Sequence, residues 1–371
     1  MRHVLLGLAL LGALTGKGAA LTTPPASSSP RLPASLVPAA LSAQGAPEFA
    51  RASLKGLRLD PDGALRLDGA LSGTLESAPV SATFTELLPS WNALTPRGTF
   101  VEVEVRAEVA GRWTKYYTFG RWASDADAGR GSVNGQKDAD GDVLTDVLLL
   151  RASASRYQYR LTLTAERAGT SPAVRLVTFT ATNGPAKLPA AAVKSAAWGR
   201  TLNVPARSQM VFAAGEGWCS PTSVSMVLAF WGKNVSVPEA AAGTLDRVYQ
   251  GTGNWAFNAA YAGSLGFTAY ATRFAGLADI ERHIVAGLPV VLSLGWKEGE
   301  LPGAPIPKSS GHLIVAVGFD ARGNVVVNDP AGKSDAEVRR TYDRAALEKL
   351  WLTHSGGTAY VIVPPEGAGK S

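Results

Sequence analysis

Gly217-Trp218-Cys219-Ser220-Pro221-Thr222-Ser223 runs directly into Val224-Ser225-Met226-Val227-Leu228-Ala229-Phe230-Trp231. The stretch reads as a loop that delivers a thiol to the first turn of a buried helix. Helix N-termini stabilise a thiolate, and the thiolate is the nucleophilic form of cysteine. Cys219 is the only cysteine among 371 residues. In an oxidising compartment cysteines pair, and a lone one has no partner within its own chain. Two readings of Cys219 are open at this point: a nucleophile, and the small buried hydrophobe that a free cysteine commonly is.

Outward from Cys219, helical and strand patterns alternate. Ser220–Trp231, Pro238–Tyr249, Trp255–Leu265 and Leu277–Ala286 read as helices, and Pro289–Leu294, His312–Phe319, Val325–Asn328 and Ala359–Val363 as strands. This predicts a mixed α+β domain. A thiol nucleophile needs a base, a group that orients the base, and donors for the oxyanion. Of the four histidines, His3 lies in the N-terminal apolar segment, His283 reads as a surface position of an amphipathic helix, and His354 reads as a loop residue. His312 differs, because it opens the buried strand Leu313-Ile314-Val315-Ala316-Val317-Gly318-Phe319. The turn Ala321-Arg322-Gly323-Asn324 follows, and the return strand Val325-Val326-Val327-Asn328 ends at Asp329-Pro330. In a hairpin the start of one strand and the end of its partner share one margin, so His312 and Asp329 are candidates for base and orienter. The plainer alternatives are a polar strand start and a turn former before proline.

Upstream, from about Leu54 to Thr182, the dominant period is two. Leu57 and Leu59, the Asp62-Gly63 turn, then Leu65 and Leu67 predict a hairpin. Val101, Val103 and Val105 alternate with Glu102, Glu104 and Arg106, and Tyr157 to Thr164 alternates likewise. The expectation is an antiparallel β-sandwich. Trp91, Trp113, Tyr116, Tyr117, Phe119 and Trp122 could either pack in a core or interface or form a sugar-binding platform, and packing is the favoured reading. Asp138-Ala139-Asp140-Gly141-Asp142 resembles the start of a calcium loop without its closing glutamate, so it reads as a polar turn.

The remaining segments give the expected organisation. Residues 1–20, with a basic start, an apolar core and small residues at Gly18-Ala19-Ala20, read as a secretory signal. Residues 21–52 read as a Pro/Ala/Ser-rich linker, 53–182 as the sandwich, 183–200 as a second linker, 201–364 as the α+β domain and 365–371 as a tail. The composition shift at 183–200 predicts two separable domains, with all catalytic groups in the second. The net charge of +6 resides in residues 1–200, which hold 22 Lys and Arg against 16 Asp and Glu, whereas residues 201–371 hold 14 of each. No dense basic cluster with interleaved aromatics is present, which argues against nucleic acid as a partner. No segment after the signal resembles a membrane span, and no metal or cofactor motif is found.

The C-terminal region resembles the papain-fold cysteine peptidases related to those that remove bacteriocin leader peptides, peptidase family C-39-like. The elements that carry the resemblance, in order, are Gln209, Cys219-Ser220-Pro221-Thr222-Ser223, Gly287-Leu288-Pro289-Val290, Gly311-His312-Leu313-Ile314-Val315 and Asn328-Asp329-Pro330. The resemblance spans roughly Leu202 to Val363 and implies a papain-like fold. It implies Cys219 as nucleophile, His312 as general base and later acid, Asp329 as its orienter, and Gln209 with the Cys219 N–H as oxyanion donors. The family commonly has Cys-Gly-Pro, so Ser220 is expected to put a side chain where glycine would leave room for substrate. Gln209 stands ten residues before Cys219, a longer gap than the family's. The expectation is thus a secreted, periplasmic or cell-surface cysteine peptidase, without cofactor, acting on a peptide or protein. A cell-wall amidase or endopeptidase of NlpC type, and an inactive binding protein, are the alternatives.

Overall fold

A computed structural model describes residues 36–125, 129–184, 186–189 and 193–365. The signal segment 1–20, the linker up to residue 35 and the tail from residue 366 lie outside the described residues. The first half contains β1 Leu41–Gln44, α1 Ala46–Phe49, β2 Ser53–Lys55, β3 Leu57–Leu59, β4 Leu65–Leu67, β5 Ser72–Glu76, β6 Val80–Leu94, β7 Thr99–Val109, β8 Arg112–Trp113, β9 Tyr117–Trp122, β10 Gly141–Leu144, β11 Val147–Ala165 and β12 Ala173–Thr182. The second contains α2 Cys219–Phe230, α3 Val237–Thr244, α4 Trp255–Ser264, β13 Thr268–Arg273, α5 Leu277–Val285, β14 Val290–Trp296, β15 Ser309–Phe319, β16 Val325–Asn328, β17 Arg339–Tyr342, α6 Arg344–Ser355 and β18 Thr358–Val363.

The first half is antiparallel throughout, as the alternation predicts, and its twelve strands form one connected sheet. Two long strands make the connection. β11 pairs with β6 near its start and with β5 and β7 near its end, with register shifts around Ala154. β6 passes from β11 to β12. Such bulges bend a strand and let one sheet curl round a core. The predicted Leu57–Leu67 hairpin forms, with Leu57 opposite Leu67 and Leu59 opposite Leu65. One boundary moves. The linker read as 21–52 ends before Leu41, because β1 pairs along β12 and Phe49 is fully buried. Two apolar anchors within an Ala- and Pro-rich stretch suffice to fix it.

In the second half the sheet order is β13-β18-β14-β15-β16-β17. Helix α2 is buried along most of its length, from Cys219 to Leu228. Two of its serine hydroxyls are satisfied, Ser223 by the Leu313 carbonyl at 3.2 Å and Ser225 by the Thr222 carbonyl at 2.8 Å, whereas the buried Thr222 hydroxyl has no partner among the described residues. Small polar residues therefore let the helix sit close to β15 without an unmet buried donor at Ser223 or Ser225.

The two halves are not joined by a linker alone. β13 is an edge strand, and an unpaired edge must be covered. Side chains of β6 and β12 cover it. The Asn92 amide donates to the Ala269 carbonyl at 2.6 Å and accepts from the Ala269 N–H at 3.1 Å. Ser90 accepts from the Ala271 N–H at 3.0 Å, and Thr180 bonds Thr272 at 3.0 Å. Beside this edge, α4 inserts Phe257 between Trp91 and Trp122, with ring centroids 6.1 and 5.4 Å away. Gly263 lets α4 approach, since a Cβ there would lie 2.7 Å from the Asn92 amide nitrogen. The favoured packing role of Trp91 and Trp122 is what is observed, and Tyr117 and Phe119 are buried too. Separability is not what this interface predicts: each half hides polar and aromatic groups that the other needs.

Candidate active site

Cys219 is the first residue of α2, with Trp218 as N-cap and no side chain capping the helix start. First-turn N–H groups lack intrahelical acceptors, so the Cys219 N–H is available to an oxyanion beside its own sulfur. Gly217 has a φ of +80°, which favours glycine and turns the chain sharply into the helix. The thiol is 8% exposed. Ser220 does not crowd substrate as expected. It is fully buried, and its hydroxyl meets Tyr360 Oη at 3.0 Å, directed into the core.

His312 lies on β15 opposite Leu294 of β14. The β15–β16 ladder stops at Val315 opposite Asn328, leaving His312 and Asp329 together beyond its end. His312 Nε2 and Asp329 Oδ1 are 2.7 Å apart, with both residues buried. Asp329 Oδ1 also accepts the Ala331 N–H at 3.0 Å, and Oδ2 accepts the Tyr342 hydroxyl at 2.6 Å. Trp296 stands edge-on to the imidazole, 5.5 Å between centroids. With Nε2 donating to an ionised Asp329, Nδ1 is the ring nitrogen left for the thiol.

The electrostatics agree with that arrangement. Burial disfavours the imidazolium, but the Asp329 carboxylate and the neighbouring Cys219 side chain outweigh it and push His312 up to about 10. Burial raises the Asp329 carboxyl, yet His312, Tyr342 and the Ala331 N–H hold it below the ordinary carboxylate range. Burial and the adjacent Asp329 drive Tyr342 far above its usual range, so it remains a donor. The stability consequence has a defined sign. The His312 contribution is complete below about pH 6.5 and is lost as pH rises toward 10. The Asp329 contribution is present above the ordinary carboxylate range and fades as pH falls through its lowered value. Urea unfolding of the full chain is expected to show declining stability between those alkaline limits, with a flatter profile in His312→Phe. Equal slopes in the two proteins would contradict the ion pair.

Gln209 is buried, and its amide nitrogen donates to the Gly215 carbonyl at 2.9 Å while Oε1 has no hydrogen-bond partner. The loop from Gln209 to Trp218 folds back on itself: a Cβ on Gly215 would overlap the Gln209 carbonyl, and Trp218 N–H bonds the Gly215 carbonyl at 3.0 Å. The long spacing to Cys219 is taken up in this turn. Gln209 N–H also bonds the Pro330 carbonyl at 2.9 Å, tying the loop to the segment after Asp329.

Two histidine expectations are corrected. His283 is buried, with Nδ1 2.8 Å from the Asp279 carbonyl and its ring against Phe274, because the buried face of α5 extends over it. His354 belongs to the last turn of α6, which Asp343 caps at its start and left-handed Gly356 at its end. The acidic run is a structural turn: Asp138 accepts from Tyr117 Oη, Asp140 N–H and Gly141 N–H, and Arg112 pairs with Asp140. Among the described residues no group of three His, Cys, Asp or Glu could hold a metal ion. A cavity of about 810 Å³ lies between the halves, lined by residues including Glu86, Arg273 and His354, and Cys219 does not line it. Sequence reading missed Tyr342 and Trp296. Trp296 ends the strand that pairs with the His312 segment, a signal that was present in the Leu292-Ser293-Leu294-Gly295-Trp296 alternation.

Comparison with known proteins bears on both halves. Residues 43–182 match the family described as the peptidase C39 N-terminal domain, and residues 201–359 match the Peptidase_C39 like family. No curated protein matches the chain. Among solved structures, a Bacillus anthracis chain that bears the name of a C39-like peptidase aligns with 44% of this chain and 97% of its own, at 18% identity and a TM-score of 0.35. TmCBM61, solved with beta-1,4-galactotriose, aligns with 38% of this chain and 88% of its own, at 8% identity and a TM-score of 0.20. A family two carbohydrate esterase from Cellvibrio japonicus aligns with 47% and 43%, at 10% identity and 0.20. Likeness this distant carries no argument about this chain; the two family matches stand on their own.

Proposed function

From a chain whose residues 201–359 belong to the C39-like peptidase family, we propose a papain-like cysteine peptidase that works through Cys219, His312 and Asp329. The observation that carries the reading is the 2.7 Å bond between His312 Nε2 and Asp329, which leaves Nδ1 for the only thiol in the chain. The thiol proton passes to His312 Nδ1, and Sγ attacks the scissile carbonyl carbon. The tetrahedral oxyanion takes the Cys219 N–H and the second Gln209 amide proton, the one not spent on Gly215. His312 then protonates the departing amine as the C–N bond breaks, giving a thioester. Water, deprotonated by His312, attacks the thioester and releases the acid and the thiol. Asp329 stabilises the imidazolium that forms in each half, and Tyr342 holds the second Asp329 oxygen in place.

On this reading residues 1–20 direct secretion and the chain acts outside the cytoplasm or at the cell surface; among the described residues no helix is long and apolar enough to cross a membrane. The first half takes the β-sandwich form. The cell-wall alternative drew on an exposed aromatic face; Trp91, Tyr117, Phe119 and Trp122 are buried, and only Trp113 and Tyr116, half-buried beside Arg106, remain of the six, so the general peptide substrate is the favoured reading.

The test is digestion of an unbiased peptide mixture by the full chain, with new termini identified by mass spectrometry. Cleavage is expected, and Gln209→Ala is expected to lower kcat by about 10²–10³ with a smaller effect on KM. A wild-type chain that cuts no peptide would remove the reading. An unchanged kcat in Gln209→Ala would remove Gln209 from it.

A further inference from the structure

We infer that the first half builds one wall of the substrate site, by fixing the loop between α3 and α4 so that Tyr249 stands beside Cys219 as a specificity-determining residue for apolar substrate side chains. The inference rests on the reading of Cys219 as the reactive thiol.

Three residues of the first half grip this loop. Arg130 is fully buried. Its guanidinium donates to the carbonyls of Ala242 at 2.5 Å and Leu245 at 2.8 Å, at the C-terminal end of α3, while another nitrogen holds the Ala123 carbonyl of its own half. A cation that satisfies the orphan carbonyls of a helix end also complements the helix dipole. The next residue of the loop, Asp246, is fully buried, and its Oδ1 accepts the Ser132 N–H of the first half at 3.1 Å together with the N–H groups of Val248 and Tyr249 at 3.0 Å. At the far end of the loop the Asp146 carboxylate, again from the first half, takes the Trp255 N–H at the start of α4. Both ends of the loop are therefore held by groups of the first half, while the turn between them is closed by Asp246 itself, which the Ser132 N–H anchors.

The loop reaches the thiol. Thr252 donates to the Gly217 carbonyl at 2.8 Å, two residues before Cys219. Tyr249 lies over Gly251, where a Cβ would come within 2.8 Å of its ring, and is 51% exposed. Burial, then the nearby Asp146, Cys219 and Asp246 side chains, raise the Tyr249 hydroxyl above its usual range. The loop after Gln209 exposes Met210 and Val211, and its Phe212 ring lies 6.0 Å from that of Trp218, the residue before Cys219. Two loops that each contact the Gly217-Trp218 approach to the nucleophile and each expose apolar side chains fit a peptide with a bulky apolar side chain.

The test uses the full chain and compares two alkylating reagents on Cys219, a phenylalanyl peptide chloromethyl ketone and iodoacetamide, so that no hydrolysis is needed. Tyr249→Ala is expected to lower the ratio of the two rates about tenfold, the scale of a lost apolar contact. Arg130→Lys, which keeps the charge and loses the fork, and Asp146→Ala are expected to lower it in the same direction. Thermal unfolding identifies which variants fold, and Asp146→Ala serves if Arg130→Lys does not. Folded Arg130 and Asp146 variants with the wild-type ratio would overturn the inference. A preserved ratio effect in a chain that cleaves no peptide would instead remove the hydrolytic reading and leave the wall in place.

Discussion

Cys219→Ala is expected to abolish peptide hydrolysis, by about 10⁴-fold or more, while the protein remains folded. The magnitude follows from the behaviour of catalytic units in which nucleophile and base act together, so that loss of either removes nearly all of the chemical advantage. No second thiol can substitute, because the chain has only one. The fold should tolerate the change. Cys219 lies at the margin of the buried helix, retains 8% exposure, and forms no disulfide. The backbone N–H that would bind the oxyanion is unaltered by the substitution. Residual activity close to wild type would mean that the reaction, if any, lies elsewhere.

Removal of the first half carries the second large effect. A fragment starting near Leu202 is expected to lack both a cooperative unfolding transition and measurable hydrolysis. It would expose the edge of β13, whose Ala269 and Ala271 groups are now met by Asn92 and Ser90. It would also bare the Phe257 face of α4 and leave the Ala242 and Leu245 carbonyls without Arg130. An unpaired apolar edge is a template for association, so the fragment should aggregate. Size-exclusion chromatography with thermal unfolding reads this outcome. A monomeric fragment that unfolds cooperatively and matches the full chain on a soluble peptide would contradict the shared interface.

What the sequence disclosed, and what it did not, divides along local and non-local lines. The hairpin around Asp62-Gly63 was legible because turn chemistry and period-two leucines lie within eleven residues. The same holds for the strand after His312 and its return through Val325 to Asn328, which is why Asp329 could be placed beside His312 without a register. The start of α2 was legible from the change at Cys219. Strand β13 was not, since Thr268-Ala269-Tyr270-Ala271 is buried on both faces and shows no alternation. Strand β17, with Arg339-Arg340-Thr341, looks solvated, and its one buried residue is Tyr342, the donor to Asp329. The composition shift near residue 190 suggested independence because a linker is a local feature. Arg130 reaching Ala242, or Asn92 reaching Ala269, spans over a hundred residues and has no local signal. His283 was misjudged for the same reason: its helix has a polar neighbourhood in sequence, but the ring packs on Phe274 from outside that helix.

The account rests on a covalent acyl intermediate at one sulfur. The direct measurement is intact-protein mass spectrometry of the full chain quenched in acid during turnover of a peptide ester, followed by mapping of the modified residue. A single added acyl mass on Cys219, absent from Cys219→Ala, is the predicted result. Ester or peptide turnover that continues in Cys219→Ala, or an acyl group mapped to any other residue, would contradict it.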